Sequence, residues 1–193
     1  MQFERGKDKL CKMSMDIRHM TKSWRSLVCK GRTAMKSICH LRKLISDAEN
    51  RLNNLTNERG LRTGDKQIRV LNERLANPMA TMKMILNKLL IIRDKTCQYL
   101  SITRMCMDDE ILCNYEITPN IRTPQLLEIL EFLRSRFDPE WEVKEMVVLA
   151  LDNIGSAEDM DMLMDAWGNC RHAGGEEFSQ KLNEYLDALM GNH

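Results

Sequence analysis

Apolar residues recur in alternating steps of four and three through the first 55 positions of this chain. With Phe3 as an a position, the a series reads Phe3, Leu10, Ile17, Trp24, Gly31, Ile38, Ile45 and Leu52. The d series reads Gly6, Met13, Met20, Leu27, Ala34, Leu41, Ala48 and Leu55. This spacing predicts a helix over 3–58, about 80 Å long at about 1.5 Å per residue, with a kink or an overlap of two shorter helices at Gly31. One helix cannot bury such a stripe alone, so the seam calls for a partner helix. The flanking e and g positions offer few opposite charges, and Val28, Met35 and Leu44 widen the apolar face. That argues against a parallel homodimer and for a bundle or a different partner chain, with hetero-association favoured. Leu10, Ile17, Trp24, Leu27, Ile38, Leu41, Ile45 and Leu52 are the expected partner contacts.

Beyond the seam the pattern changes. Gly60 and Gly64 are expected to end the first helix, and a short helix to start near Asp65. Asn77-Pro78 is expected to restart the chain, with proline in a first turn. The next helix is apolar around much of its circumference (Met82, Ile85, Leu86, Leu89, Leu90, Leu100), which predicts burial among several neighbours. Residues 106–123 read as a connector. Thr123-Pro124 opens a helix over 125–137 that Asp138-Pro139 should stop. A second helix from Trp141 to Gly155 follows, then helices over 157–167 and 176–190. The division is therefore a basic coiled-coil arm (1–58), a helical hairpin (65–105), a connector (106–123) and an acidic helical domain (124–191), all α-helical.

The sequence Asp138-Pro139-Glu140-Trp141-Glu142-Val143-Lys144, followed by Ala150-Leu151-Asp152-Asn153-Ile154-Gly155, resembles a HEAT or armadillo-type repeat. There an Asp-Pro turn leads into Val-Lys/Arg, then Ala-Leu and a closing glycine. Residues 124–155 carry the resemblance and 156–190 only weakly, with Gly174-Gly175 where the Asp-Pro turn would stand. Tyr185-Leu186-Asp187 repeats Ala150-Leu151-Asp152 at an offset of 35 residues, within the range of helical solenoids. The resemblance implies stacked helix pairs and a protein-binding surface. Trp141 and Trp167 lie at the edges of those helices, as anchors for a bound segment or as packing between repeats.

Charge sharpens the picture. The formal net charge is only +1, yet residues 1–43 carry +9, residues 44–104 carry +5 and residues 105–193 carry −13. On the first helix Arg18, Arg25 and Arg32 at b positions and Lys22, Lys36 and Lys43 at f positions form a basic ridge. Such a ridge fits an acidic protein surface, the chain's own acidic half or a phosphate backbone, and a solvated face is the plainest alternative.

No motif for catalysis is present: no GxSxG, phosphate-binding glycine loop, HExxH or dinucleotide fingerprint. The acidic run Glu158, Asp159, Asp161 and Asp165 lacks the spacing of a calcium loop. Seven cysteines show no CxxC pair, and Cys29, Cys39, His40, Cys106, Cys113, Cys170 and His172 do not match zinc-ligand spacing. No metal or cofactor is expected. Scattered thiols without a signal peptide predict a reducing compartment, cytoplasm or nucleus. Charged residues within 79–94 make it a poor bilayer span. The expectation is a non-enzymatic adaptor or complex subunit that binds protein partners through the arm and the acidic domain. The alternative is a nucleic-acid-associated structural protein, chromatin-linked or viral, using the basic ridge.

Overall fold

The computed structural model describes residues 2–54, 58–154 and 156–191, without the side chains of residues 2, 3, 58 and 59. Phe3, Leu55 and Gly155 of the patterns above therefore lie outside what is described. Five helices make up nearly all of it: α1 (Gln2–Asn53), α2 (Glu58–Met107), α3 (Thr123–Ala150), α4 (Ala157–Gly168) and α5 (Gly175–Met190). A two-stranded antiparallel ribbon, β1 (Glu116–Thr118) and β2 (Ile121–Arg122), joins α2 to α3. The chain is all-α, and no helix among the described residues is long and apolar enough to cross a membrane.

The helix that the seam calls for is supplied by the same chain. α1 and α2 form an antiparallel hairpin. Gly64 lies against Leu52, Leu71 clusters with Leu41, Ile45 and Ala48, and Lys95 reaches Asp16 at 2.8 Å. Tyr99 donates to the same carboxylate. Partial burial pushes the Asp16 carboxyl up, but Lys95 and Tyr99 outweigh it and hold it below its ordinary value. Both glycines, expected to end α1, instead lie inside α2.

A second face of α1 is covered by α3, α4 and α5. The e positions Ser14, Thr21, Val28 and Met35 are buried there. Ser14 and Tyr185 hydroxyls lie 2.6 Å apart, and Trp24 stacks on Phe137 with centroids 4.2 Å apart. The two glycines that interrupt the seam are sockets, Gly6 for Leu112 of the segment between α2 and β1 and Gly31 for Trp167 of α4. A Cβ on Gly6 would sit 2.7 Å from Leu112, and one on Gly31 only 2.2 Å from the Trp167 ring. Trp167 donates from Nε1 to the Val28 carbonyl at 3.0 Å. Gly31 thus marks a close approach within an unbroken helix, rather than a kink or an overlap.

Two prolines expected at helix boundaries lie inside helices. Pro78 is within α2 and Pro139 within α3. Each removes a backbone donor, at a cost of about 3 kcal/mol in an ordinary helix interior. Around Pro139 that cost is offset by a face buried on both sides of it, with Leu133 and Phe137 before and Val147, Val148 and Leu151 after. Arg134 pairs with Asp138 one turn on, and Arg93 lies 3.9 Å from the same carboxylate. The Asp-Pro turn and the helix pair that the HEAT resemblance implied over 124–155 are therefore replaced by one long helix and a short 3-10 turn, Leu151–Asn153.

A buried ion pair locks α3 to α4. Lys144 and Glu140 are 2.5 Å apart, at 0% and 1% side-chain exposure. Lys144 also donates to the Trp167 carbonyl at 2.7 Å, and Glu140 Oε2 accepts from the backbone N–H groups of His172 and Ala173. Burial pushes the Glu140 carboxyl up, but Lys144 and the two backbone donors outweigh it and hold it below its ordinary value. The Lys144 that the repeat pattern singled out is thus a cap on the end of α4, seating Trp167 against Gly31.

Candidate functional site

The residues expected to meet a partner through the seam are already used. Leu10, Ile17, Trp24, Ile38 and Trp167 are at most 1% exposed, and Leu41 and Ile45 are buried. Leu27 and Leu52 are half-buried at the hairpin. Trp141 is half-buried beneath the Arg93 guanidinium, 4.3 Å from its ring centroid. Opening the seam to another chain would mean stripping α2 or the α3–α5 layer from α1, so these side chains hold the fold.

The basic ridge is exposed at all six positions, Arg18, Lys22, Arg25, Arg32, Lys36 and Lys43, but it splits in two. Arg18 reaches Met190 Sδ, Arg25 donates to Ser179 Oγ, and Arg32 donates to the Gly168 carbonyl. These arginines tie α1 to α4 and α5 by way of a sulfur, a hydroxyl and a helix-end carbonyl. The Arg32 contact places a cation at a helix C-terminus, where the helix dipole favours it. Lys22, Lys36 and Lys43 make no ion pair among the described residues, and point away from that layer.

Sequence reasoning missed the surface that this geometry creates. α1 and α2 bury one side of their hairpin under α3–α5 and leave a groove on the other. Lys22, Ser26 and Lys30 of α1 face Lys88 and Ile91 of α2 across it, and further along Lys30, Ser37 and His40 face Arg74 and Thr81. At about 3.6 residues per turn, Lys30 lies on nearly the opposite side of α1 from Val28, which is buried under Trp167. No Asp or Glu occurs between residues 17 and 46 of α1 or between residues 74 and 93 of α2, the segments that line this groove. Among the described residues no carboxylate pairs with Lys22, Lys30, Arg74 or Lys88. Met84 and Ile91 stand exposed on the α2 wall, at 50% and 58%. The signal was present as two acid-free windows, but only the antiparallel pairing brings them together.

The acidic half presents the converse. No Lys or Arg occurs from residue 145 to residue 170. The outward side of α3 carries Glu142, Glu145, Met146 and Leu149, and that of α4 carries Glu158, Asp161 and Met162. Met146, Leu149 and Met162 are among the most exposed apolar side chains, at 62–67%. Val143 and Met162 line one cleft, together with Asp165 and a single arginine, Arg171, so the two helices form a continuous face.

Among the described residues no three His, Cys, Asp or Glu side chains converge to hold a metal ion. The buried Glu140–Lys144 pair is closed off by backbone partners on both sides and is structural. No protein-family model and no curated protein matches this chain.

Proposed function

We propose that this chain is a non-enzymatic adaptor or assembly subunit, and that the open α1/α2 groove, rather than the seam, receives the partner. The carrying observation is a groove lined by Lys22, Lys30, Arg74 and Lys88, free of acid along both walls and edged by exposed Met84 and Ile91. Unpaired charge beside exposed aliphatic surface fits an acidic amphipathic helix, with apolar anchors supplying affinity and the rim charges steering encounter. The rigid hairpin holds the surface preformed, which lowers the entropy lost on binding. The seven unbridged thiols support a reducing compartment, cytoplasm or nucleus.

A second reading, nucleic-acid association, draws on the exposed Lys22, Lys36 and Lys43. Two features count against it. Arg18, Arg25 and Arg32 are engaged by α4 and α5, and no Phe, Tyr or Trp lines the groove to stack a base, His40 being the one ring there.

The test is fluorescence anisotropy with a synthetic amphipathic helix bearing Leu on one face and Glu elsewhere, run beside duplex DNA at stepped salt. The wild-type chain should bind the helix, and K30E/K88E should bind it at least about tenfold more weakly while keeping its helical content. Undiminished peptide binding by that variant would overturn the reading. So would tighter binding to DNA, falling with salt at a slope of about 0.9 per phosphate neutralised.

A further inference from the structure

The groove and the acidic face are complementary in both charge and apolar content. One carries lysines and arginines around Met84 and Ile91; the other carries Glu142, Glu145 and Asp161 around Met146, Leu149 and Met162. Each window is single-signed: no carboxylate over 17–46 and 74–93, no base over 145–170. A surface built for solubility alone mixes the two signs. The two faces also lie on opposite sides of the hairpin, because α3 and α4 pack on the side away from the groove. One chain therefore cannot bring them together, but two copies can.

We infer that the groove's occupant is the α3/α4 face of a second copy, so that the chain assembles head to tail. This inference rests on the groove being a docking site for acidic partners, and adds the partner's identity. The two surfaces are different, so the contact is heterologous and repeats instead of stopping at a dimer. It differs from the parallel homodimer that the e and g positions argue against, because the seam takes no part. Exposed Met146 and Met162 suit the apolar part of the contact, since methionine adapts to irregular surfaces. In such a contact the face that carries Glu145 and Asp161 meets the walls that carry Lys30 and Lys88, and the rim charges set the register.

Sedimentation equilibrium of the full chain over a wide concentration range tests this. The wild-type average mass should climb past twice the 22.5 kDa chain mass. The groove variant K30E/K88E and the face variant E145K/D161K should each associate at least about tenfold more weakly at the same salt. Combining all four substitutions should restore association, because the charges are exchanged. Circular dichroism confirms that each variant is folded; Lys30, Lys88 and Asp161 are exposed and Glu145 is half-buried, and none of the four belongs to the hydrophobic core. A wild-type chain that stays at 22.5 kDa throughout would overturn the inference. If it nevertheless binds the synthetic acidic helix, only self-assembly falls; if it binds neither, the groove reading falls with it. Self-association that persists in both single-face variants, or groove-dependent binding of duplex DNA by a monomeric chain, would likewise overturn it.

Discussion

Replacing Gly31 with alanine sets two effects against each other, and the structure decides the winner. In an exposed helix interior the change is favourable by about 1 kcal/mol, because alanine loses less backbone entropy. Here the new methyl would lie 2.2 Å from Trp167 Cζ2 and 2.5 Å from its Nε1, far inside ordinary contact. The ring is fully buried, so it cannot give way by a few tenths of an ångström and must leave its slot. Withdrawal breaks the Trp167–Val28 hydrogen bond, leaving a buried donor unsatisfied at about 1–3 kcal/mol. Strain or lost packing adds about 1–3 kcal/mol. Against the gain of about 1 kcal/mol, the net expectation is a loss of about 3 kcal/mol. Urea unfolding followed by circular dichroism measures it, and tryptophan emission should shift to the red in the folded baseline. Gly64→Ala is the control. Its methyl would meet only the mobile end of half-exposed Leu52, so the propensity gain should survive and stability hold or rise. A Gly31→Ala chain as stable as wild type would refute the socket, and with it the claim that α4 closes over the seam.

Breaking the Glu140–Lys144 pair from one side, by Glu140→Gln or Lys144→Met, should cost about 3–5 kcal/mol, since each leaves a buried charge uncompensated; thermal melts check this. Because Glu140 sits below its ordinary value of 4.5, its contribution is complete above that pH and is lost as pH falls through the lower folded value. Glu140→Gln should therefore flatten the acid limb of stability below pH 4.5, and an unchanged limb would contradict the assignment. At the other extreme, burial pushes Tyr185 from 10.0 up to about 12. Its stabilising effect is intact below pH 10 and fades toward pH 12, by about 3 kcal/mol in all. Tyr185→Phe should lessen that alkaline loss while costing about 1 kcal/mol at neutral pH for the orphaned Ser14 hydroxyl.

What the sequence disclosed tracks the range of the forces involved. The four-three alternation, set by helix geometry, located α1 and its buried stripe, and Gly191 with its left-handed φ of 69° closes α5 where the pattern placed it. Val28 and Met35 showed that the apolar face was wider than a two-stranded seam needs, and they mark where the α3–α5 layer lands. The seam itself could not say whose helix covers it, because a packed side chain carries no label for its partner. Pro78 and Pro139 misled for a related reason: the local penalty of proline is visible in sequence, whereas the distant burial that offsets it is not. Gly31 reads as a kink until Trp167 is known to fill it. The groove depends on α2 running back beside α1, so its basic walls are legible only as two separate windows.

The central claim is that the seam is spent on the fold while association belongs to the groove. Light scattering and circular dichroism on I38D/L41D beside K30E/K88E test it most directly. The account predicts that the seam variant loses helical structure, whereas the groove variant keeps its helices and loses its partner. A seam variant that stays fully helical but falls to a smaller species, beside a groove variant that assembles as wild type does, would contradict it.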